Sequence, residues 1–128
     1  MAYYFSRKIN ARFDEAVERV TEALRKQGFG ILTEIDVGAT LKKKIDVDFR
    51  PYRILGACNP PFAYKALQAE DKIGTMLPCN VIVQQTDGGD IEIAAIDPAA
   101  SMAAVDNPAL EEIAATIGKK LSTAVREA

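Results

Sequence analysis

The sequence predicts an α+β fold, a two-layer sandwich in which about five mainly antiparallel strands pack against helices, in one domain over residues 1–128. Three observations carry this expectation. CNVIVQQ (79–85) and IEIAAI (91–96) are β-favouring runs joined by TDGGD, whose glycines supply the positive φ of a hairpin turn, so part of the sheet is antiparallel. The segments alternate as β-α-β-α-β-α-β-β-α-α, and no glycine-rich phosphate loop follows a strand, which argues against a doubly wound parallel sheet. With 48 % hydrophobic and 27 % charged residues in 128, the chain can fill one core and still solvate its surface.

The elements follow in order. AYYFSRK (2–8) is rich in β-favouring aromatics and reads as the first strand. A helix over 12–27 places Phe13, Val17, Val20 and Leu24 at helical spacing, with Ala16 and Ala23 alongside. Glu15→Arg19 and Glu22→Lys26 form i,i+4 pairs on its wet face, and Gly28 supplies the left-handed stop. FGILTEIDV (29–37) is the second strand, with Phe29, Ile31, Thr33 and Ile35 expected on one face. ATLKKKIDVD (39–48) reads as a short helix with Leu41 and Ile45 inward and three lysines in water. Arg50-Pro51 breaks it, and YRILGAC (52–58) is the third strand. Asn59-Pro60, Asp97-Pro98 and Asn107-Pro108 each set an N-cap residue before proline, so helices start at Pro60, Pro98 and Pro108. The last carries the apolar stripe Leu110, Ile113, Ile117, Leu121 and Val125, with Glu111 and Glu112 in its first turn and Arg126 near its end.

Composition narrows the chemistry. With no histidine, Ser-His-Asp and Cys-His catalysis, His-containing zinc sites and the usual near-neutral proton shuttle are all absent. No tryptophan offers a stacking platform. A net charge of −2 with scattered cations points to no nucleic-acid partner. The N-terminus lacks the pattern of a signal peptide, and no apolar run approaches a membrane span. The expectations are therefore no membrane association and a cytoplasmic location, where two thiols stay reduced.

Those two thiols are Cys58 in ILGACNPPFAYKAL (54–67) and Cys79 in LPCN (77–80), each followed by asparagine. As packing residues, both are small hydrophobes at strand ends. As chemistry, they matter only if they meet. Strand parity sets Cys58 with Tyr52, Ile54 and Gly56, and Cys79 with Val81 and Val83. Antiparallel neighbouring strands would bring the sulfurs close; parallel ones would hold them about 20 Å apart. Their mirror-image positions around one helix favour proximity. A close pair could form a reversible disulfide, carry sulfane sulfur or bind a soft ion such as Cu(I), with Met76 as a third ligand. The start of the following helix would favour a thiolate at Cys58. Zinc would need two such pairs across a dimer.

Asn59 is explained as an N-cap. Asn80 starts a strand where asparagine is disfavoured; it could close a turn, pair with the Asn59 loop or line a small pocket. Gly56 within a strand marks a close approach by backbone, ligand or a packed helix. Tyr52 and Tyr64 flank the motif with hydroxyls. Lys42, Lys43, Lys44, Arg50 and Arg53 are either a solvated face or an anion site. The candidate ligand-binding set is Gly56, Cys58, Asn59, Tyr64, Cys79 and Asn80, and the candidate metal set is Cys58, Met76 and Cys79. No catalytic residue is identified, and the sequence requires no cofactor.

RPYRILGACNPPFAYKAL, then IGTMLPCNVIV and IDP, resemble the mainly bacterial and archaeal family known as domain of unknown function 302, across essentially the whole chain. The matching motif positions are Gly56, Cys58, Asn59, Pro60, Leu77, Pro78, Cys79 and Asn80. The resemblance implies a small α+β domain and a homodimer. It implies no established activity, so no catalytic residue carries over. Three functions stand: a non-enzymatic module binding a small molecule or soft metal ion at the Cys-Asn segments, a homodimeric interaction domain with the cysteines as packing, and a histidine-free thiol enzyme such as a sulfur transferase. The first two stand level, and the missing histidine puts the enzyme last.

Overall fold

The computed structural model describes residues 2–128. Five strands, β1 (Tyr4–Ile9), β2 (Gly30–Asp36), β3 (Tyr52–Cys58), β4 (Cys79–Gln85) and β5 (Ile91–Ile96), form one sheet in the order β1-β5-β4-β3-β2. Every neighbouring pair is antiparallel. The helices are α1 (Phe13–Lys26), α2 (Val37–Ile45), α3 (Pro60–Ala69), α4 (Pro98–Ser101) and α5 (Pro108–Glu127), with one 3₁₀ turn at Ile73–Met76. This is the α+β arrangement that the hairpin and the element order predict.

Strand alternation divides the sheet into two unlike faces. Leu55, Ala57, Val81, Val83, Ile93 and Ala95 are buried on one of them, under α1 and α5. Val20, Leu24, Leu121 and Val125 meet them from the helices. Each fully buried aliphatic side chain there contributes about 1.5–3 kcal/mol. The alternate residues, including Ile54, Asn80, Ile82, Gln84 and Ala94, lie on the other face and remain half-buried or exposed. Among the described residues, no helix is long and apolar enough to cross a membrane.

Local signals set the element ends. Gly28, at φ +88°, stops α1, with its N–H donating to Arg25 O and that of Phe29 to Leu24 O, both at 3.0 Å. Gly89, at φ +86°, turns the β4–β5 hairpin, which is closed by a 2.8 Å bond from Thr86 N–H to Asp90 O. Asp97 and Asn107 cap α4 and α5 as expected, accepting from Ala99 and Ala109 N–H at 3.0 and 3.1 Å. α2 begins two residues earlier than its pattern suggests, because the Asp36 carboxylate accepts from Ala39 N–H at 2.9 Å.

Two expectations need correcting. Phe29, Ile31, Thr33 and Ile35 do not share a face, because β2 bulges at Leu32: Ile31 lies opposite Ala57, whereas Thr33 lies opposite Gly56. Beyond the bulge, Thr33 and Ile35 turn to the open face. Ile45 does not point inward either. It is 63 % exposed, since α2 bridges two strands at the sheet's edge and buries no side chain fully.

Candidate functional site

The site grows from the β3–β4 pairing. These strands are antiparallel neighbours with Ala57 opposite Cys79, so Cys58 is one residue off direct register, its Cα about 6 Å from that of Cys79. Both cysteines are free, and both residues border one cavity of about 330 Å³ at the end of the sheet, Cys79 on the alternation of Val81 and Cys58 on that of Gly56. Ala57 and Cys79 form its floor. Phe62, Ala63, Ala66 and Leu67 of α3 make one wall, and Ile113, Ala114 and Ile117 of α5 make another. Pro98 and Met102 at the two ends of α4, and Gly74, Leu77 and Pro78 around the 3₁₀ turn and before β4, complete the lining. Phe29 and the bulged Leu32, which is 66 % exposed, stand at the β2 side. Among the described residues, no charged one lines the cavity.

CNPP places its residues in distinct roles. Cys58 ends β3, and Pro60 and Pro61 fill the first two positions of α3. Asn59 holds the N-cap position, where its carbonyl accepts from Ala63 N–H at 2.9 Å, but its side chain does not cap the helix, as the sequence reading had it. The prolines have removed the first two donors of the turn. Instead, Nδ2 donates to the Gln27 carbonyl at 3.2 Å, tying the end of α1 to the start of α3. Gly28 makes this possible, since a Cβ there would stand 3.0 Å from Asn59 Nδ2. Burial, with a smaller contribution from the neighbouring Cys58, pushes the Cys79 thiol up to about 11, so it keeps its proton at neutral pH.

The structure divides the remaining candidates. Asn80 lies opposite Gly56 in the ladder and faces the open side with Tyr52, Ile82 and Gln84; it closes no turn, and the sheet separates it from the Asn59 loop. What crowds Gly56 is neither a helix nor a backbone: a Cβ there would stand 2.2 Å from Thr33 Oγ1 and 2.7 Å from Pro78 Cγ. Tyr64 is 65 % exposed and lies outside the cavity lining, as does Met76. Among the described residues, no three His, Cys, Asp or Glu side chains converge as a metal-binding group. Lys42 pairs with Asp46 and Asp48 at 3.0 and 3.3 Å, and Arg53 with Glu34 at 2.7 Å. Arg50 bonds Gln84 at 2.9 Å and lies over the Phe49 ring. Of the lysine run and its neighbouring arginines, read as a solvated face or an anion site, Lys42, Arg50 and Arg53 are thus engaged, while Lys43 and Lys44 lie exposed on α2.

Met102, Phe29 and the cavity face of α5 were not picked out as site residues from the sequence. The α5 stripe reads as core, which it also is, and only the tertiary fold shows that part of it borders a void.

A family model described as "Domain of unknown function DUF302" matches residues 5–128. Among solved structures, the crystal structure of an uncharacterised conserved DUF302 protein from Bacillus stearothermophilus is similar, at 32 % identity and a TM-score of 0.92, covering 99 % of this chain and 98 % of that one. A search of the curated proteins finds no match.

Proposed function

We propose, for a chain that belongs to the family of the domain of unknown function DUF302, a non-enzymatic module that binds one small apolar molecule at the Cys-Asn segments. The cavity carries this reading. It holds about 330 Å³, is walled by aliphatic and aromatic side chains and has no charged lining, the character of a small-ligand site. A cavity of roughly 150 Å³ accepts benzene, so one about twice that size suits an occupant of about a dozen non-hydrogen atoms. Thiol catalysis gains no support from its surroundings, where no carboxylate, lysine or tyrosine can act as a base and Cys79 holds its proton. For a soft metal ion, the lining adds only the Met102 thioether to the two thiols.

The test is fluorescence titration with 1-aminoanthracene, which brightens in apolar surroundings. The expected result is saturable one-to-one enhancement that Ala63→Phe abolishes by setting a ring into the cavity from α3. Equal enhancement in that variant, or none in the unmodified chain, would sink the reading.

One observation favours a second, compatible reading as a self-associating interaction domain. The open face of the sheet shows Tyr4, Ile35, Ile54, Ile82 and Ile96, with Val47 and Phe49 exposed beside it. An extended apolar face of this kind suits a second copy of the chain.

A further inference from the structure

Among the described residues, Asn59 is the only polar one besides the two cysteines to line the cavity. It is 8 % exposed and is the one buried polar or charged residue among those described. Its Nδ2 is committed to the Gln27 carbonyl, and no described residue donates to its Oδ1. That oxygen is not sealed away, since Arg53 Nε is the only fully enclosed side-chain N or O atom without a partner among the described residues. An acceptor left free on a residue this buried can take a hydrogen bond from a donor that enters the cavity.

The same motif denies the site to anions. A helix N-terminus attracts negative charge through its free N–H groups. Pro60 and Pro61 have none, which leaves the Phe62 N–H as the remaining donor of that turn, because the Ala63 N–H bonds Asn59 O. Among the described residues, no lysine or arginine lines the cavity. An ionised carboxylate or phosphate entering here would lose its water and gain almost nothing in return.

Resting on the cavity reading above, we infer that the occupant is a neutral, largely apolar molecule whose hydroxyl or N–H group donates a hydrogen bond to Asn59 Oδ1. The aliphatic or aromatic body fills the space between α3 and α5, and the donor lies at the Cys58-Asn59 end. Fatty acids are thereby excluded and long-chain alcohols or phenols admitted.

The experiment follows backbone amide shifts of the unmodified chain on titration with n-decanol, its isomer methyl nonyl ether, and decanoate at neutral pH. The expected result is that decanol shifts the amides of Asn59, Phe62 and Ala114 and binds about threefold to tenfold more tightly than the ether, the equivalent of one neutral hydrogen bond. Decanoate binds more than about a hundredfold more weakly. Asn59→Leu erases the preference for the alcohol. Equal binding of alcohol and ether, or of alcohol and decanoate, would overturn the inference while leaving an apolar-ligand site in place. No shift with any of the three would overturn the cavity reading itself. Should Asn59→Leu fail to fold without its bond to Gln27, the comparison of isomers on the unmodified chain still decides.

Discussion

Gly56→Ala tests how the sheet holds the wall of the cavity. The added methyl would stand 2.2 Å from Thr33 Oγ1 and 2.7 Å from Pro78 Cγ, against about 3.5 Å or more for comfortable carbon contacts. Thr33 is β-branched and has few rotamers to escape into, and the Pro78 ring has no free rotation. Thr33 with its strand β2, and the Leu77–Pro78 segment, must therefore shift. Overpacking of this kind costs about 1–3 kcal/mol, offset by about 0.5–1 kcal/mol from the smaller backbone entropy loss of alanine. The net is a loss of about 1–2 kcal/mol, which for a chain of this size lowers Tm by about 3–8 °C. Thermal unfolding followed by far-ultraviolet circular dichroism at fixed pH reads it directly. Thr33→Ala is the control, because that side chain is exposed and its loss alone should cost under about 0.5 kcal/mol. In the double variant the nearest clash is gone, the Thr33 Cβ sits at an ordinary 3.5 Å, and about half the loss returns. Strict additivity of the two changes, or an unaltered Tm in Gly56→Ala, would refute the steric reasoning. Since Pro78 lines the cavity, Gly56→Ala should also weaken 1-aminoanthracene binding, and Thr33→Ala should not.

Two further outcomes follow from the burial of Cys79 and from the open face. The Cys79 thiol is pushed up to about 11 in the fold, from an ordinary value of 9.0. Below that ordinary value, folded and unfolded chains both hold the proton. Between about 9 and 11 only the folded chain does, so the unfolded state gains by ionising, and stability falls as pH rises by about 2–3 kcal/mol across the window. Urea unfolding at pH values spanning that window should show a steeper loss in the unmodified chain than in Cys79→Ala, and equal slopes would contradict the assigned burial. For the open face, the self-association reading expects a dimer by analytical ultracentrifugation that Ile82→Lys converts to monomer with 1-aminoanthracene binding intact. A unmodified chain that sediments as a monomer at high micromolar concentration would end that reading.

Local signals were legible in the sequence, and tertiary ones were not. The β4–β5 hairpin, the Gly28 stop and the proline-led helix starts each depend on a few neighbouring residues, and all appear where the pattern puts them. The faces of β2 are not legible in the sequence, because a bulge at Leu32 leaves no mark in an otherwise regular alternation. Asn59 before proline has the pattern of a side-chain cap, the nearest use for it in sequence. Its actual partner, the Gln27 carbonyl, is distant in sequence and reachable only after α1 and α3 pack. Parity did place Cys79 with Val81 and Val83, and the same parity sends Asn80 through to the opposite face, so the two Cys-Asn pairs are not equivalent. The cavity had no sequence signature. It is bordered by small residues of two helices, Ala63 and Ala66 in α3 and Ala114 in α5, set among larger ones such as Phe62, Ile113 and Ile117.

That void explains why the motif is a poor place to separate folding from binding by mutation. Cys58 ends a strand and borders the cavity. Asn59 joins α1 to α3 through Nδ2 and leaves Oδ1 for an occupant. Pro60 and Pro61 start a helix and strip its first turn of donors. Each residue thus serves the fold and shapes the site at once, and changing any of them perturbs both. Varying the ligand leaves the fold alone, so the choice between an alcohol and its isomeric ether isolates the chemistry of Asn59 more cleanly than its replacement can. Ala63 and Ile82 complement that comparison from outside the α1–α3 tie, one on the cavity side of the sheet and one on the open side. A ligand response lost in Ala63→Phe and retained in Ile82→Lys would assign binding to the helix-covered side and leave the open face to self-association.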